Sequence, residues 1–155
     1  MGNLIRNAHA LEYIATDHPR VLYVALGEPD DWAHERRYGH YLVSTANCDR
    51  FIRQLWEKLQ SLPEYRGTTT LIVSPDHGRG GTARDWTDHG KKTPGSNETW
   101  LAVLGPDTPS RGERRDTPVV TQAQIAATIA ALLGEDYRAY QPAAAPVVAD
   151  VVAGQ

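Results

Sequence analysis

The sequence predicts an α/β fold in which helices flank a mostly parallel sheet. Three short apolar runs have the pattern of strands that are buried on both faces, as strands of a parallel sheet are. Other segments repeat apolar residues every three or four positions, as helices that pack on a sheet do. Because the two patterns alternate along the chain, a right-handed α/β layer is the fold class that they favour.

In the first half of the chain the patterns predict a helix, a strand and a second helix. Residues 3–15 carry apolar side chains on one helical face, and a His-Pro pair follows. Residues 21–26 form a continuous apolar run closed by a glycine, which predicts a buried parallel strand. Residues 43–62 repeat leucine and isoleucine at helical spacing and precede a proline, so they predict a long helix.

The second half predicts two more strands and a last helix. Residues 69–74 and 100–104 are short apolar runs of the kind that form buried strands. Thr121 and Gln124 make a capping box, which predicts the start of a helix. The tail at 141–155 is rich in alanine, proline and valine, and it is expected to be loosely ordered or to add an edge segment.

These elements predict one α/β domain over residues 1–155, with a core from about 20 to 134. The net charge of −3 gives no basic field for a phosphate backbone, so nucleic acid is not expected as a partner. No run approaches the length of about 18 apolar residues that crosses a membrane, and no secretory signal is visible. The chain as written is therefore expected to be cytoplasmic and not to sit in a membrane. If it is a fragment of a longer exported protein, its location is not fixed by these residues.

Five side chains with metal-binding groups lie just beyond predicted strands. In open α/β sheets, the loops at the carboxyl ends of strands bring together groups that are distant in sequence. Carboxylate and imidazole suit zinc or manganese, and mixed sets with open coordination positions are typical of catalytic metal sites. The candidate metal ligands are Asp30, His34, Asp76, His77 and His89.

Some of these candidates have alternatives among their neighbours. Asp31 is close enough to replace Asp30, which also fits a simple turn after a proline. His40 is an alternative to His34, although the Asp-x-x-x-His spacing favours His34. The assignment of His89 as a metal ligand rests mainly on the presence of the other candidate ligands. A neighbouring aspartate can orient its ring.

Trp32, Trp86 and Lys91 are candidate substrate-binding residues because they lie near the predicted ligands in the sequence. The indole rings of the two tryptophans can line a substrate pocket. Ordinary packing of these side chains against the rest of the fold explains their presence equally well. Lys91 offers positive charge to an anionic substrate, and a solvated surface lysine is the alternative. No catalytic nucleophile is identified.

Three motifs carry a resemblance to a known family. They read Gly-Glu-Pro-Asp-Asp-Trp-Ala-His at 27–34, Ser-Pro-Asp-His-Gly at 74–78 and Thr-Asp-His-Gly at 87–90. In this order they resemble the carboxyl-terminal half of the alkaline phosphatase superfamily, which includes phosphodiesterases, phosphopentomutases, phosphoglycerate mutases and sulfatases. The first motif is most similar to the phosphodiesterase branch and the third to the phosphopentomutase branch. The resemblance extends from about residue 21 to residue 133.

The resemblance implies a complete site with two divalent ions, zinc or manganese. Asp30, His34 and His89 would hold one ion, whereas Asp76 and His77 belong to the second. Such paired ions stabilise the attacking and leaving oxygens of an in-line displacement. The implied function is metal-dependent hydrolysis or transfer of a phosphate or sulfate ester, with a small-molecule ester as substrate.

The amino-terminal part of the family pattern has no counterpart in this chain. The family has an earlier strand that ends in another metal-binding aspartate, followed by a serine or threonine nucleophile. The second ion therefore lacks half of its ligands, so one ion is expected in this chain. A fragment of a longer enzyme, one chain of a split enzyme and a reduced relative all fit, and such a chain is expected to be weak or inactive alone.

A binding module is the alternative to an enzyme. A metal-stabilised half-domain leaves a sheet edge exposed, and exposed edges pair with other chains. The expected partner is then a complementary amino-terminal chain or a second copy of this chain.

Overall fold

The structure is a computed structural model that describes residues 2–152, with side chains from residue 5 onward. The chain divides into two compact units, each built from two stretches of sequence. The first unit contains residues 2–67 and 77–100, and the second contains residues 68–76 and 101–152. The sequence predicts one domain over the same residues.

The first unit is built on three helices: α1 (Gly2–Asp17), α2 (Glu28–His34) and α3 (Tyr38–Ser61). Both α1 and α2 pack against α3. The helices predicted at 3–15 and 43–62 are confirmed, although α3 begins earlier than its apolar spacing indicates. No helix in the described part of the chain is both long and apolar enough to cross a membrane. The buried apolar side chains of this unit are Ala10, Ile14, Ala33, Phe51, Leu55 and Leu59.

The second unit combines a small sheet with short helices. Its strands, β1 (Leu71–Val73) and β2 (Ala102–Leu104), pair antiparallel, with residue 71 opposite residue 104. A 3₁₀ turn at Gln122–Gln124 leads into α4 (Ile125–Leu132), and α5 (Tyr137–Tyr140) follows. The core of this unit contains Ala127, Thr128, Val148 and Val151.

The prediction of a mostly parallel sheet flanked by helices is wrong. The chain is 40% helical, and its two paired strands have three residues each and run antiparallel. The apolar runs at 69–74 and 100–104 do contain strands, but shorter ones than predicted. An apolar run indicates burial or strand propensity, whereas the direction of pairing depends on residues far away in the sequence.

The predicted buried strand at 21–26 is also wrong. These residues form no strand, and the side chains of Val21 and Tyr23 are 53% and 86% exposed. Within this segment, the carbonyl of Ala25 accepts a hydrogen bond from Nη1 of Arg6 at 2.6 Å. A strand needs a neighbouring strand for its main-chain hydrogen bonds, and none of the described residues provides one here.

The capping box at Thr121 and Gln124 is confirmed. The main-chain N–H of Thr121 donates to Oε1 of Gln124 at 2.9 Å, which satisfies a donor at the start of the helix. The tail contributes to the same unit, because Val148 is buried and its main-chain N–H donates to Oγ1 of Thr128 at 3.0 Å. Thr128 is thereby satisfied inside the core.

Candidate metal centre

Three predicted ligands of the first unit converge on one point. Asp30 lies in the first turn of α2, whereas His77 and His89 come from the long loop that follows residue 76. One ligand atom from each of the three lies within 4.8 Å of the others. Oδ1 of Asp30 is 3.6 Å from Nε2 of His77 and 3.8 Å from Nε2 of His89. A carboxylate and two imidazoles at these separations could hold one metal ion.

His34, at the end of α2, adds a third imidazole. It stands four residues after Asp30, and this spacing places both side chains on the same face of the helix. Nε2 of His34 is 3.4 Å from Oδ2 of Asp30 and 3.0 Å from Nε2 of His89. Because the side chain of His34 is more exposed than those of His77 and His89, it forms the solvent side of the cluster.

The ring of His77 is oriented by the main chain of the next residue and by the ring of His89. Its Nδ1 lies 2.9 Å from the carbonyl oxygen of Gly78, which can only accept a hydrogen bond. In the neutral ring Nδ1 therefore carries the hydrogen, and the lone pair of Nε2 is directed to the side where Asp30 lies. The rings of His77 and His89 stack with centroids 3.7 Å apart and planes 11° from parallel.

The loop that carries His77 and His89 folds back closely on itself. Gly78 donates its N–H to the carbonyl of Ser96 at 2.8 Å. A Cβ at Gly78 would lie 2.2 Å from the carbonyl oxygen of Gly95, so only glycine fits. Farther along, the Asp85 carboxylate accepts hydrogen bonds from the side chain and the N–H of Thr82, and these bonds lower the pKa of Asp85. The loop is therefore held by a main-chain hydrogen bond between its ends and by hydrogen bonds to the Asp85 side chain between the two histidines.

Arg79 is a member of the cluster that the sequence did not predict. Its Nη2 contacts Oδ1 of Asp30, and its Nη1 donates to the carbonyl of Thr87 at 3.3 Å. Burial lowers the pKa of the Arg79 guanidinium, and the charge of Asp88 opposes that shift. The sequence signal was only a basic residue next to an Asp-His-Gly motif, which by itself does not indicate a contact with Asp30.

Asp76 lies in the second unit, whereas Asp30, His77 and His89 lie in the first. Asp76 is exposed and belongs to the second unit, where its main-chain carbonyl accepts a hydrogen bond from Nε2 of Gln122 at 2.8 Å. The resemblance assigned His77 and Asp76 to the same ion. Within the first unit, His77 is grouped with Asp30 and His89.

The alternative ligands and the predicted substrate residues are not among the ligand atoms that converge at Asp30, His77 and His89. Asp31 and Lys91 are exposed, and His40 stacks on the ring of Trp32 with centroids 4.7 Å apart. Trp86 packs edge-on against the Tyr38 ring, with centroids 5.2 Å apart. An open cavity of about 360 Å³ adjoins this aromatic pair; its lining is Tyr38, Gly80, Gly81, Thr82, Ala83 and Trp86.

Comparisons with protein-family models, with curated proteins and with solved structures found no match for this chain. The arrangement of Asp30, His34, His77 and His89 is the observation on which a function can be proposed.

Proposed function

We propose that this chain binds a divalent metal ion, zinc or manganese, through Asp30, His77 and His89, with His34 as an adjacent donor. We further propose that the centre serves hydrolysis or transfer of small phosphate or sulfate esters. The observation that carries the proposal is the convergence of three ligand atoms within 4.8 Å from two separate parts of the sequence. The ester chemistry is the function that the three sequence motifs imply.

The donor set fits such an ion. Asp30, His77 and His89 supply one carboxylate and two imidazoles, and sets of three protein ligands with an open position are typical of catalytic metal sites. A bound divalent ion supplies Lewis-acid polarisation of an ester oxygen. His77 contributes an oriented ring, because Nδ1 is engaged by the carbonyl of Gly78. The resemblance implies a second ion, for which Asp76 remains a proposed ligand.

The surroundings of the centre suit an anionic substrate with an organic group. The Arg79 guanidinium lies 6.0 Å from the ring centroid of Tyr41, and that ring lies 5.9 Å from the ring of Trp86. The open cavity beside Tyr38 and Trp86 offers an apolar wall for the organic part of the ester. Trp32 and Lys91 remain proposed substrate contacts. Since no nucleophile is identified, turnover by this chain alone is expected to be weak.

Metal content is the direct test of the site. The purified chain is incubated with Zn²⁺ or Mn²⁺, and unbound metal is then removed. Elemental analysis is expected to find close to one bound metal ion per chain. His77→Ala and His89→Ala are expected to lose it because each removes one of three ligands. His9→Ala, which removes an exposed histidine of α1, is the matched control and should retain the metal. Full retention in the His77 and His89 variants would contradict the site.

Turnover of nitrophenyl phosphate and nitrophenyl sulfate tests the ester chemistry separately. The metal-loaded chain is expected to cleave one of them slowly, and a chelator or His89→Ala should abolish the activity. A chain that binds metal but cleaves neither ester above the rate of the free ion would leave only a non-catalytic metal-binding module.

That second candidate function is favoured by the segment at 21–26. Its sequence is of strand type, yet Val21, Leu22 and Tyr23 are exposed and make no main-chain hydrogen bond within the described chain. An apolar segment with unpaired main-chain groups is a template for a strand from another chain. A module that binds metal and docks a complementary chain, or a second copy, would use this segment.

A further inference from the structure

One carboxylate oxygen of the candidate metal centre has a cationic neighbour as well as two imidazoles. Nη2 of Arg79 contacts Oδ1 of Asp30, and the same oxygen faces Nε2 of His77 at 3.6 Å and Nε2 of His89 at 3.8 Å. A metal ion held by these residues would therefore share that oxygen with the guanidinium. Oδ2 of the carboxylate faces His34 instead, at 3.4 Å.

Arg79 is held in this place by more than its charge. Its side chain is only 15% exposed, and Nη1 donates to the carbonyl of the buried Thr87 at 3.3 Å. The guanidinium also lies over the ring of Tyr41, 6.0 Å from its centroid. An arginine side chain keeps its positive charge throughout the range of neutral pH. The fold thus positions a permanent positive charge beside Asp30.

We propose that Arg79 is a competing cation that limits the metal affinity of the centre, an inference that rests on the proposed metal-binding function. A divalent ion on Oδ1 of Asp30 competes with the guanidinium for that oxygen, and the two positive charges repel each other over a few ångströms. Removing the charge of Arg79 should therefore strengthen metal binding. This is the opposite of what loss of a ligand does.

The test compares three substitutions by titration of Zn²⁺ against a chromophoric chelator at fixed pH and ionic strength. Arg79→Gln is expected to bind Zn²⁺ about fivefold more tightly than the unchanged chain, because an ion pair competing for the carboxylate is lost. Arg84→Gln removes the same charge from an exposed position of the same loop and should leave the affinity unchanged. Arg79→Lys keeps the charge and should stay near the affinity of the unchanged chain.

Thermal unfolding gives a second readout that a purely structural role would not produce. After chelator treatment, Arg79→Gln should unfold at a lower temperature because Asp30 loses its partner. With Zn²⁺ added, its Tm should rise by more than that of the unchanged chain, since tighter binding stabilises the folded state more. A purely structural arginine would lower both the Tm and the metal affinity.

The outcomes separate this inference from the metal site itself. If Arg79→Gln binds Zn²⁺ with an affinity equal to or lower than that of the unchanged chain, the proposed role of Arg79 is wrong. The proposed metal site is not affected by that outcome. Zn²⁺ binding that is measurable only in Arg79→Gln supports the inference. Failure of every variant and of the unchanged chain to bind Zn²⁺ overturns the proposed metal site and this inference together.

Discussion

Gly78, between His77 and Arg79, has no room for a side chain. A Cβ at this position would lie 2.2 Å from the carbonyl oxygen of Gly95 and 2.5 Å from that of Glu98. Both obstacles are main-chain atoms, so they cannot rotate away as a side chain could. We expect Gly78→Ala to destabilise the chain by about 1–3 kcal/mol, as overpacking of a tight site does, and to weaken metal binding by displacing His77.

Gly81 is the matched control for this prediction. It lies three residues further along the same loop and is exposed, and a Cβ at this position would meet no atom within 4 Å. Gly81→Ala is expected to change the free energy of unfolding by no more than about 1 kcal/mol, in the stabilising direction if at all. Urea denaturation measures both variants. Equal stability of the two would mean that the loop around Gly78 relaxes at no cost.

The sequence reveals some of these residues and not others. Asp30 and His34 meet because four residues span one helical turn, which is a local property. His89 and Arg79 reach Asp30 only through the way the loop folds back, and no periodicity in the sequence encodes that. As metal ligands, Asp30, His34 and His89 stay predictions until metal binding is measured.

Among the elements, α3 supports the first unit, because α1 and α2 both pack on it. Phe51 is the largest buried apolar side chain of that helix, at 2% exposure. We expect Phe51→Ala to cost about 3–5 kcal/mol of unfolding free energy, since it removes buried area and leaves a cavity. Val43→Ala, at an exposed position of the same helix, should change stability by no more than about 0.5 kcal/mol. A Phe51→Ala cost as small as that of Val43→Ala in urea denaturation would contradict this role.

The three longer helices were predictable, whereas the short helices α2 and α5 and the pairing of the sheet were not, for a physical reason. The spacing of Phe51, Leu55 and Leu59 defines a buried helical face by itself, so α3 follows from its own residues. The strand at 71–73 becomes regular only through its partner at 102–104, about thirty residues away. The segment at 21–26 has the composition of a strand without a partner among the described residues, and composition cannot supply one.

At the scale of the whole molecule, the chain forms two compact units and not a single domain with one hydrophobic core built on a sheet. The boundary between them falls directly after Asp76, so the Asp-His pair of the second motif is divided between units. Each unit has its own buried side chains, with Phe51 in the first and Thr128 in the second. The candidate metal centre at Asp30, His77 and His89 therefore belongs entirely to the first unit.

The whole chain is expected to associate with itself through the segment at 21–26. In an antiparallel pairing of this segment with its copy, unpaired main-chain groups on both chains would form hydrogen bonds, and exposed apolar side chains would be covered. Arg20 of each copy would then stand close to Glu28 of the other, which adds charge complementarity at both ends. Sedimentation velocity should show an average mass that rises with protein concentration.

A charged residue within the segment should prevent this association, because lysine on an exposed strand opposes edge pairing. Val21→Lys is therefore expected to remain monomeric at concentrations at which the unchanged chain forms dimers. Val119→Lys makes the same substitution at a valine that is 88% exposed in the second unit, and it should dimerise like the unchanged chain. An unchanged chain that is monomeric at every concentration would exclude self-pairing, and the exposed segment would then be available to a complementary chain. Loss of dimers in both variants would instead indicate that net charge, not the segment, controls association.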